Sequence, residues 1–361
     1  MAAALILVAA TGLALWRGWA VMASIAAASV VIAGLRIAAP GLAGSIPGQA
    51  RHWLVLAGIA AILQVYLWGL GWVRRRADTG DSRDTHQPPP DAPPTHAPSA
   101  VPGRLSGAEL DRYARHITLR ELGGPGQQRL SRARVAVIGA GGLGAPVLMY
   151  LTAAGVGRIT VIDDDAVSLS NLQRQVIFDT DQVGQPKTGA AIARLRALNP
   201  HVEVTGVARR LDDANAEGLL AGHDLIIDGS DSFATRAAVN RAAVTLGIPL
   251  LSGAIVQWEG QVTLYDPARG APCMACIFPE PPAQGLAPSC AEVGVVGALP
   301  GVVGSLMALE AIKEIGGTGG QDLRGRLMIF DGLWSETRTI AVERRTDCPV
   351  CGGLAQTKAG R

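Results

Sequence analysis

The chain has 361 residues, of which 48% are hydrophobic and 17% are charged, and its formal net charge is +2 at pH 7. This near balance argues against an extended basic face, so we expect no nucleic-acid partner. Five cysteines are too few for a disulfide scaffold of this size. The mean hydropathy of +0.26 is high for a wholly soluble enzyme and suggests that part of the chain lies in lipid.

The apolar excess is concentrated in residues 1–76, which are almost free of charge. Residues 53–73 form an uncharged run that, at about 1.5 Å per residue, would span a bilayer core of about 30 Å. Arg74, Arg75 and Arg76 follow as a cytoplasmic stop. Residues 18–35 and 2–16 are further uncharged runs. We therefore predict two or three transmembrane helices in the inner membrane, with the catalytic domain facing the cytoplasm. A buried helical hairpin is the alternative.

A proline-rich segment, residues 77–104, separates this region from the rest of the chain. Its prolines stand among Asp, Thr, Ser and His, so the segment has little apolar area to bury and predicts a semi-rigid tether. A ligand for an adaptor domain that binds proline-rich segments is the alternative. Residues 105–361 are predicted to form one globular domain.

The first strand and helix of this domain carry a glycine motif. Residues 134–139 predict a buried strand, and a helix ending near Gly155 and a strand at 158–163 follow. The motif between them is G-x-G-x-x-G, with an acid, Asp163, about twenty residues further on. Its glycines, which let the backbone approach a nucleotide, are Gly139, Gly141, Gly142 and Gly144. Asp163 is placed to bind ribose hydroxyls.

Helices and strands continue to alternate beyond the motif. We predict helices at Lys187–Leu198 and Phe233–Leu246, with strands at 202–207, 224–228 and 249–255. Residues 257–265 predict an antiparallel strand instead. The fold class is therefore α/β, a Rossmann-like and mostly parallel sheet with an antiparallel extension.

Three charged residues favour a nucleoside triphosphate over a dinucleotide. Arg174 and Lys187 can neutralise a triphosphate, and Asp231 at a strand end can hold Mg²⁺. Taken singly, each has a simpler explanation, namely a surface cation or a helix N-cap. A membrane-anchored NAD-binding oxidoreductase or nucleotide-sensing scaffold on the same fold is the alternative function, but hydride transfer needs no triphosphate clamp.

Two Cys-x-x-Cys pairs predict a structural zinc site. Cys273 with Cys276, and Cys348 with Cys351, supply four thiolates, which is the ligand set of a closed tetrahedral site. A redox Cys-x-x-Cys is the alternative, although one pair would suffice for it. Cys290 is left over, and an inert buried thiol is its simplest interpretation.

These motifs, in this order, together resemble the MoeB/ThiF family of bacterial relatives of ubiquitin-activating enzymes. The matching stretches begin at Arg112-Tyr-Ala-Arg115-His-Ile, include Ser170-Asn-Leu-Gln-Arg-Gln175 and Gly184-Gln-Pro-Lys187, and end with the second cysteine pair. The resemblance implies ATP-dependent adenylation of the C-terminal glycine of a ubiquitin-like sulfur-carrier protein ending in Gly-Gly. Pyrophosphate is released, and the reaction serves molybdopterin or thiamine biosynthesis.

The resemblance also implies roles for individual residues. Arg115 would reach into the site of a second subunit, which requires a homodimer. Arg174, Lys187 and Asp231 would be catalytic, with Cys290 at most a sulfur-transfer thiol. The residues implied in binding ATP and Mg²⁺ are Gly139, Gly141, Gly142, Gly144, Asp163, Asp165, Ser170, Asn171, Arg174, Lys187, Asp231 and Ser232.

Overall fold

The computed structural model describes residues 29–32, 37, 52, 54, 55, 57, 58, 105–280 and 294–354. The chain divides into two compact units, Met1–Pro93 and Pro94–Arg361. The predicted division into residues 1–76, 77–104 and 105–361 stays a prediction. All elements named below belong to the second unit.

The prediction of an inner-membrane protein with a cytoplasm-facing domain is wrong. Among the residues that the structure describes, no helix is long and apolar enough to cross a bilayer. A span requires a continuous apolar helix of about 20 residues, and apolar composition alone does not supply one. Of the three apolar runs, residues 2–16 lie wholly outside the described residues, and most of 18–35 and 53–73 do too.

The described part of the second unit contains helices and strands in alternation. Its helices are α1 (Gly107–Arg112), α2 (Ala114–Ile117), α3 (Gly123–Arg132), α4 (Gly144–Ala153), α5 (Lys187–Leu198), α6 (Ala216–Leu220), α7 (Phe233–Leu246), α8 (Met274–Ile277) and α9 (Ala298–Gly316). Its strands are β1 (Arg134–Ile138), β2 (Arg158–Ile162), β3 (Glu203–Val207), β4 (Leu225–Asp228), β5 (Leu250–Val256), β6 (Glu259–Tyr265), β7 (Arg326–Asp331) and β8 (Glu336–Ala341).

The strands form one sheet in the order β3-β2-β1-β4-β5-β6-β7-β8. Strands β1 to β5 pair in parallel, whereas β6, β7 and β8 continue the sheet antiparallel. The predicted mostly parallel sheet with an antiparallel extension is confirmed. The strands β7 and β8 were not predicted.

Alternation along the strands divides the core between the two faces of the sheet. In β1, Val135 and Val137 belong to a cluster with Leu148 of α4 and Met307 of α9. The intervening Ala136 and Ile138 belong to a second cluster, with residues of α6, α7 and α8. Helices therefore cover both faces of the sheet, as an open α/β fold requires.

The chain order of the strands fixes where a ligand can bind. From β1 the chain runs outward through β2 and β3, and it then returns to β4 on the other side of β1. This reversal leaves a crevice at the carboxyl ends of β1 and β4, which is where open α/β sheets bind ligands. The glycine motif follows β1, Asp163 follows the neighbouring strand β2, and Asp231 comes shortly after β4.

Candidate active site

A cavity of about 930 Å³ lies at the carboxyl ends of the parallel strands and extends along β5 and β6. The sequence-predicted residues that line it are Gly139, Gly141, Gly142, Asp163, Asp165, Arg174, Lys187, Asp231 and Ser232. Gly144, Ser170, Asn171 and Arg115 are not among its lining residues. The fold thus brings together most of the predicted ATP-binding set.

The glycine turn between β1 and α4 is shaped by close backbone contacts. Gly139 has a φ of 89°, which favours glycine, and its N–H donates to the carbonyl of Ile162 at 2.8 Å. A Cβ on Gly144 would lie 1.8 Å from the carbonyl oxygen of Gly139. Gly144 is therefore required for packing α4 against the turn, whereas Gly141 and Gly142 face the cavity.

Asp163, just after β2, is tied to this turn. Its carboxylate oxygens accept hydrogen bonds from the backbone N–H of Ala140 at 2.7 Å and of Asp165 at 2.9 Å. Burial raises the pKa of Asp163, although the Lys187 ammonium and both N–H groups favour its charged form. Each oxygen accepts one bond here and keeps a lone pair for a ligand donor such as a ribose hydroxyl.

Two cations line the cavity beside Asp163. The Lys187 side chain is 4% exposed, and its Nζ lies 2.7 Å from Asp165 and 4.0 Å from Asp163. The Arg174 guanidinium donates to the Asn171 side-chain oxygen at 3.1 Å. Asn171 thus orients the Arg174 side chain. Asn171 can therefore contribute to the site although it does not line the cavity. Arg174 and Lys187 give this part of the cavity two positive charges to set against an anionic ligand.

The segment after β4 brings Asp231 and Ser232 to the cavity. Asp228 is buried, and its carboxylate accepts a hydrogen bond from the Ser230 N–H at 2.9 Å. The Ser232 hydroxyl accepts from the Thr235 N–H at 3.4 Å and caps α7. Ser232 therefore has a structural role beside its predicted one, whereas Asp231 is exposed.

Sequence analysis missed Arg236, in the first turns of α7. Its guanidinium lines the cavity and donates to the carbonyl oxygens of Ser230 and Gly253, the latter at 2.7 Å. It thereby joins the segment after β4 to β5. The available signal was an arginine five residues after Asp231, one of two in an alanine-rich helix, but its backbone partners follow only from the tertiary structure.

Arg115 lies on α2, away from the cavity of its own chain. The neighbouring Tyr113 is buried, and its hydroxyl accepts a hydrogen bond from the Asn199 amide at 2.8 Å. Asn199 also donates to the carbonyl of Thr152 at 2.8 Å. The segment that carries Arg115 is therefore anchored, while the Arg115 side chain itself is exposed.

The four paired cysteines form one buried cluster. The Sγ–Sγ distances are 3.9 Å for Cys273–Cys276, 3.6 Å for Cys273–Cys348 and 3.4 Å for Cys276–Cys351. In a tetrahedral site with Zn–S bonds of about 2.3 Å, these distances would be about 3.8 Å. The donor set therefore fits a closed zinc site between α8 and the segment after β8. Cys290 lies outside the described residues.

Comparison with known proteins gives consistent matches over this domain. Residues 113–350 match the ThiF family model. A sulfur carrier protein adenylyltransferase of Thermus thermophilus is 51% identical over 253 residues, which cover 69% of this chain and 93% of the relative. The SAMP-activating enzyme E1 of Haloferax volcanii is 48% identical, and the match covers 69% of this chain and 91% of that relative. The mouse adenylyltransferase and sulfurtransferase MOCS3 is 45% identical, and the match covers 72% of this chain and 56% of MOCS3.

Solved structures share the same fold. The crystal structure of Escherichia coli MccB with ATP has a TM-score of 0.59 at 23% identity, covering 67% of this chain and 75% of MccB. The crystal structure of SeMet PaaA has a TM-score of 0.54 at 24% identity, and the match covers 78% of this chain and 83% of PaaA. At these identities the likeness concerns the fold alone.

Proposed function

The chain belongs to the ThiF family, and we propose that it adenylates the C-terminal glycine of a ubiquitin-like sulfur-carrier protein. A carboxylate oxygen of the carrier attacks the α-phosphorus of ATP, the bond from that phosphorus to the β-phosphate oxygen breaks, and pyrophosphate leaves. The product is a carrier acyl-adenylate, which a sulfur donor can attack in molybdopterin or thiamine biosynthesis.

The observation that carries this proposal is the pairing of a nucleotide-binding turn with a buried lysine, Lys187, and a half-buried arginine, Arg174, in one cavity. The glycine turn and Asp163 suit a ribose and the start of a phosphate chain. Arg174 and Lys187 add two fixed cations where the phosphates would follow. Positioned charge of this kind stabilises the crowded transition state of phosphoryl transfer, which needs no protein nucleophile.

Asp231 would hold the Mg²⁺ that accompanies ATP. It is exposed, lines the cavity, and supplies the carboxylate oxygen that Mg²⁺ prefers. When bound, the metal would neutralise charge on the phosphates. The protein's own contribution is to hold Asp231 in place, through the Asp228 carboxylate, the Ser232 cap and the Arg236 guanidinium.

The cavity also has room for the tail of the carrier. Beyond the nucleotide end it continues along β5 and β6, where Gly253 and Gly260 form part of its wall. A Cβ on either glycine would lie 2.3 Å from a side chain of α9, Met307 or Val303, so these positions keep α9 close to the sheet. A C-terminal tail ending in glycines would fit against this part of the cavity wall.

The proposal is tested by ATP–pyrophosphate exchange with a carrier ending in Gly-Gly. We expect exchange with the intact carrier and none with a carrier that has extra residues after its terminal glycine. Exchange that is independent of the carrier, or turnover of NAD(P)H instead, would contradict the assignment.

We further propose that the active enzyme is a homodimer in which Arg115 acts on the partner's site. Arg115 is exposed, anchored on its own chain through Tyr113, and does not line its own cavity. An arginine held outside its own cavity can meet phosphate only in a second subunit. Its guanidinium would add a third cation to the clamp.

Mixed dimers test this arrangement. Arg115→Ala and Asp231→Ala should each be nearly inactive alone, because every site of either homodimer lacks one group. Co-expression should restore up to about a quarter of the wild-type exchange activity. About half of the randomly formed dimers are heterodimers, and each heterodimer keeps one complete site of two. If activity in the mixture does not exceed that of the two homodimers, Arg115 does not act across the subunits.

The cysteine cluster is proposed to bind one structural zinc ion. Four buried Sγ atoms leave no ligand position for water, so the metal would have no catalytic role. Burial raises the pKa of the Cys273 thiol, so a bound cation would be needed to keep Cys273 as a thiolate. Zinc would join the segment before α8 to residues 348–351.

A further inference from the structure

Arg115 lies on a helix that is too short to hold its own position. The helix α2 has four residues, and no side chain caps its first turn. Isolated helices of this length are unstable in water, so contacts with the rest of the chain must fix the place of an arginine on α2. Tyr113 and His116, one on each side of Arg115 in the chain, make such contacts.

The first contact is made by Tyr113, which is 3% exposed. Its hydroxyl accepts a hydrogen bond from Asn199 Nδ2 at 2.8 Å. Asn199 is fully buried, and the same Nδ2 donates to the carbonyl of Thr152 at 2.8 Å. A Cβ on Gly155 would lie 2.3 Å from Cζ of Tyr113, so the ring packs directly on the backbone there. Ring and hydroxyl together hold Tyr113 against the end of α4.

The second contact is made by His116. Gln127 of α3 is fully buried, and its Oε1 lies 3.2 Å from Nδ1 of His116. An amide oxygen only accepts, so the histidine ring donates this hydrogen bond. Gln127 Nε2 donates in turn to the carbonyl of Ala154 at 2.8 Å. His116 is therefore connected to a backbone carbonyl near the end of α4 through a buried amide, as Tyr113 is.

Both connections end at α4, the helix that begins at the glycine turn. Its apolar side chains belong to the core cluster that α4 shares with α9 and one face of the sheet. The carbonyls of Thr152 and Ala154 lie at its end, where helix carbonyls lack partners within the helix. Neither Tyr113 nor His116 lines the cavity of its own chain. The position of Arg115 is thus fixed by the core of its own chain, outside its own cavity.

We propose that Tyr113 and His116 are positioning residues for Arg115, and that their hydrogen bonds set the rate of adenylation in the partner's site. The inference rests on the proposed homodimer, in which Arg115 acts across the subunits. A guanidinium stabilises a transition state only where it is held in place, and a displacement of about 1 Å can cost up to about 100-fold in rate. Loss of either connection should therefore lower exchange while the cavity of the same chain stays intact.

The test begins with homodimers of three variants, whose folding is checked by thermal melting. Tyr113→Phe removes the hydroxyl and keeps the ring against Gly155, and it should lower the exchange rate about tenfold. Gln127→Met removes the second connection and should also lower the rate. Thr152→Val is the matched control, because the Thr152 hydroxyl is buried on α4 without a hydrogen-bond partner among the described residues. We expect it to exchange at the wild-type rate.

Heterodimers, isolated through two different affinity tags, show in which site the loss occurs. Paired with Asp231→Ala, Tyr113→Phe should give about half of the wild-type rate, because its intact cavity receives a correctly held Arg115. Paired with Arg115→Ala, it should give about a twentieth, since one site has no arginine and the other receives the displaced one. A general loss of stability would instead lower both pairs equally.

The outcomes separate this inference from the proposed homodimer. The reverse pattern, or equally low rates in both pairs, would overturn the positioning role. A wild-type rate in the homodimer of Tyr113→Phe or of Gln127→Met would overturn the role of the connection that the variant removes. If heterodimers of Arg115→Ala with Asp231→Ala are inactive, Arg115 does not act across the subunits, and the inference is overturned together with the homodimer proposal.

Discussion

Replacing Lys187 by alanine is expected to lower the rate of carrier-dependent pyrophosphate exchange by a factor of about 10²–10³, which corresponds to the loss of one preorganised charge at a transition state. Lys187 is nearly fully buried at the start of α5, so its ammonium is held against Asp165 before any ligand arrives. A charge fixed in this way costs little reorganisation when the α-phosphate is attacked. Arg174→Ala should also lower the rate of exchange, because the Arg174 guanidinium is a second positive charge in the cavity and is held in position by Asn171.

The fold should survive the loss of Lys187. Asp165 is 65% exposed and remains solvated, while Asp163 keeps two backbone hydrogen bonds. Arg158→Ala is the matched control, since Arg158 begins the strand that leads to Asp163 but forms an exposed pair with Glu203 at 2.9 Å. We expect it to change exchange less than twofold. Equal rates for Lys187→Ala and the wild type would remove Lys187 from the phosphate clamp.

Replacing Cys273 by alanine should abolish zinc binding and lower the melting temperature by about 10 °C or more, because structural zinc contributes its binding energy to folding. The cluster joins two segments that are far apart in sequence, and every residue of the preceding strand β8 is exposed. Removing one ligand therefore frees the carboxyl-terminal part of the chain. Metal analysis and thermal melting with and without a chelator measure the effect.

Cys290→Ala provides the control for this experiment. Cys290 belongs to neither Cys-x-x-Cys pair, so zinc content and melting temperature should stay unchanged. Adenylation needs no thiol, so exchange should be retained as well. Full zinc content in Cys273→Ala, or an unchanged melting temperature after chelation, would contradict a structural zinc site.

Local sequence signals predicted the helices around the site well. The helices at Lys187–Leu198 and Phe233–Leu246 have the predicted bounds. The second has a Ser232 N-cap and ends at Gly247, whose φ is 66°. Helix caps and turns depend on residues that are close in sequence, so they can be recognised without tertiary information.

Features that depend on distant residues were missed. Strand β8 is exposed along its length, so it lacks the buried alternation that marks a strand, and it exists through pairing with β7. The backbone contacts of Arg236 are likewise a property of the assembled site. The membrane prediction rested on uncharged runs of span length, but among the residues that the structure describes no helix is long and apolar enough to cross a bilayer.

The central claim, attack of the carrier carboxylate on the α-phosphorus, is tested most directly by oxygen transfer. A carrier labelled with ¹⁸O in its C-terminal carboxylate is incubated with the enzyme and MgATP, and the product is trapped with hydroxylamine. Hydroxylamine attacks the acyl carbon, so the bridging ¹⁸O should leave with AMP, and the released pyrophosphate should be unlabelled. Appearance of ¹⁸O in inorganic phosphate, with ADP as the other product, would show attack at the γ-phosphorus and contradict adenylation.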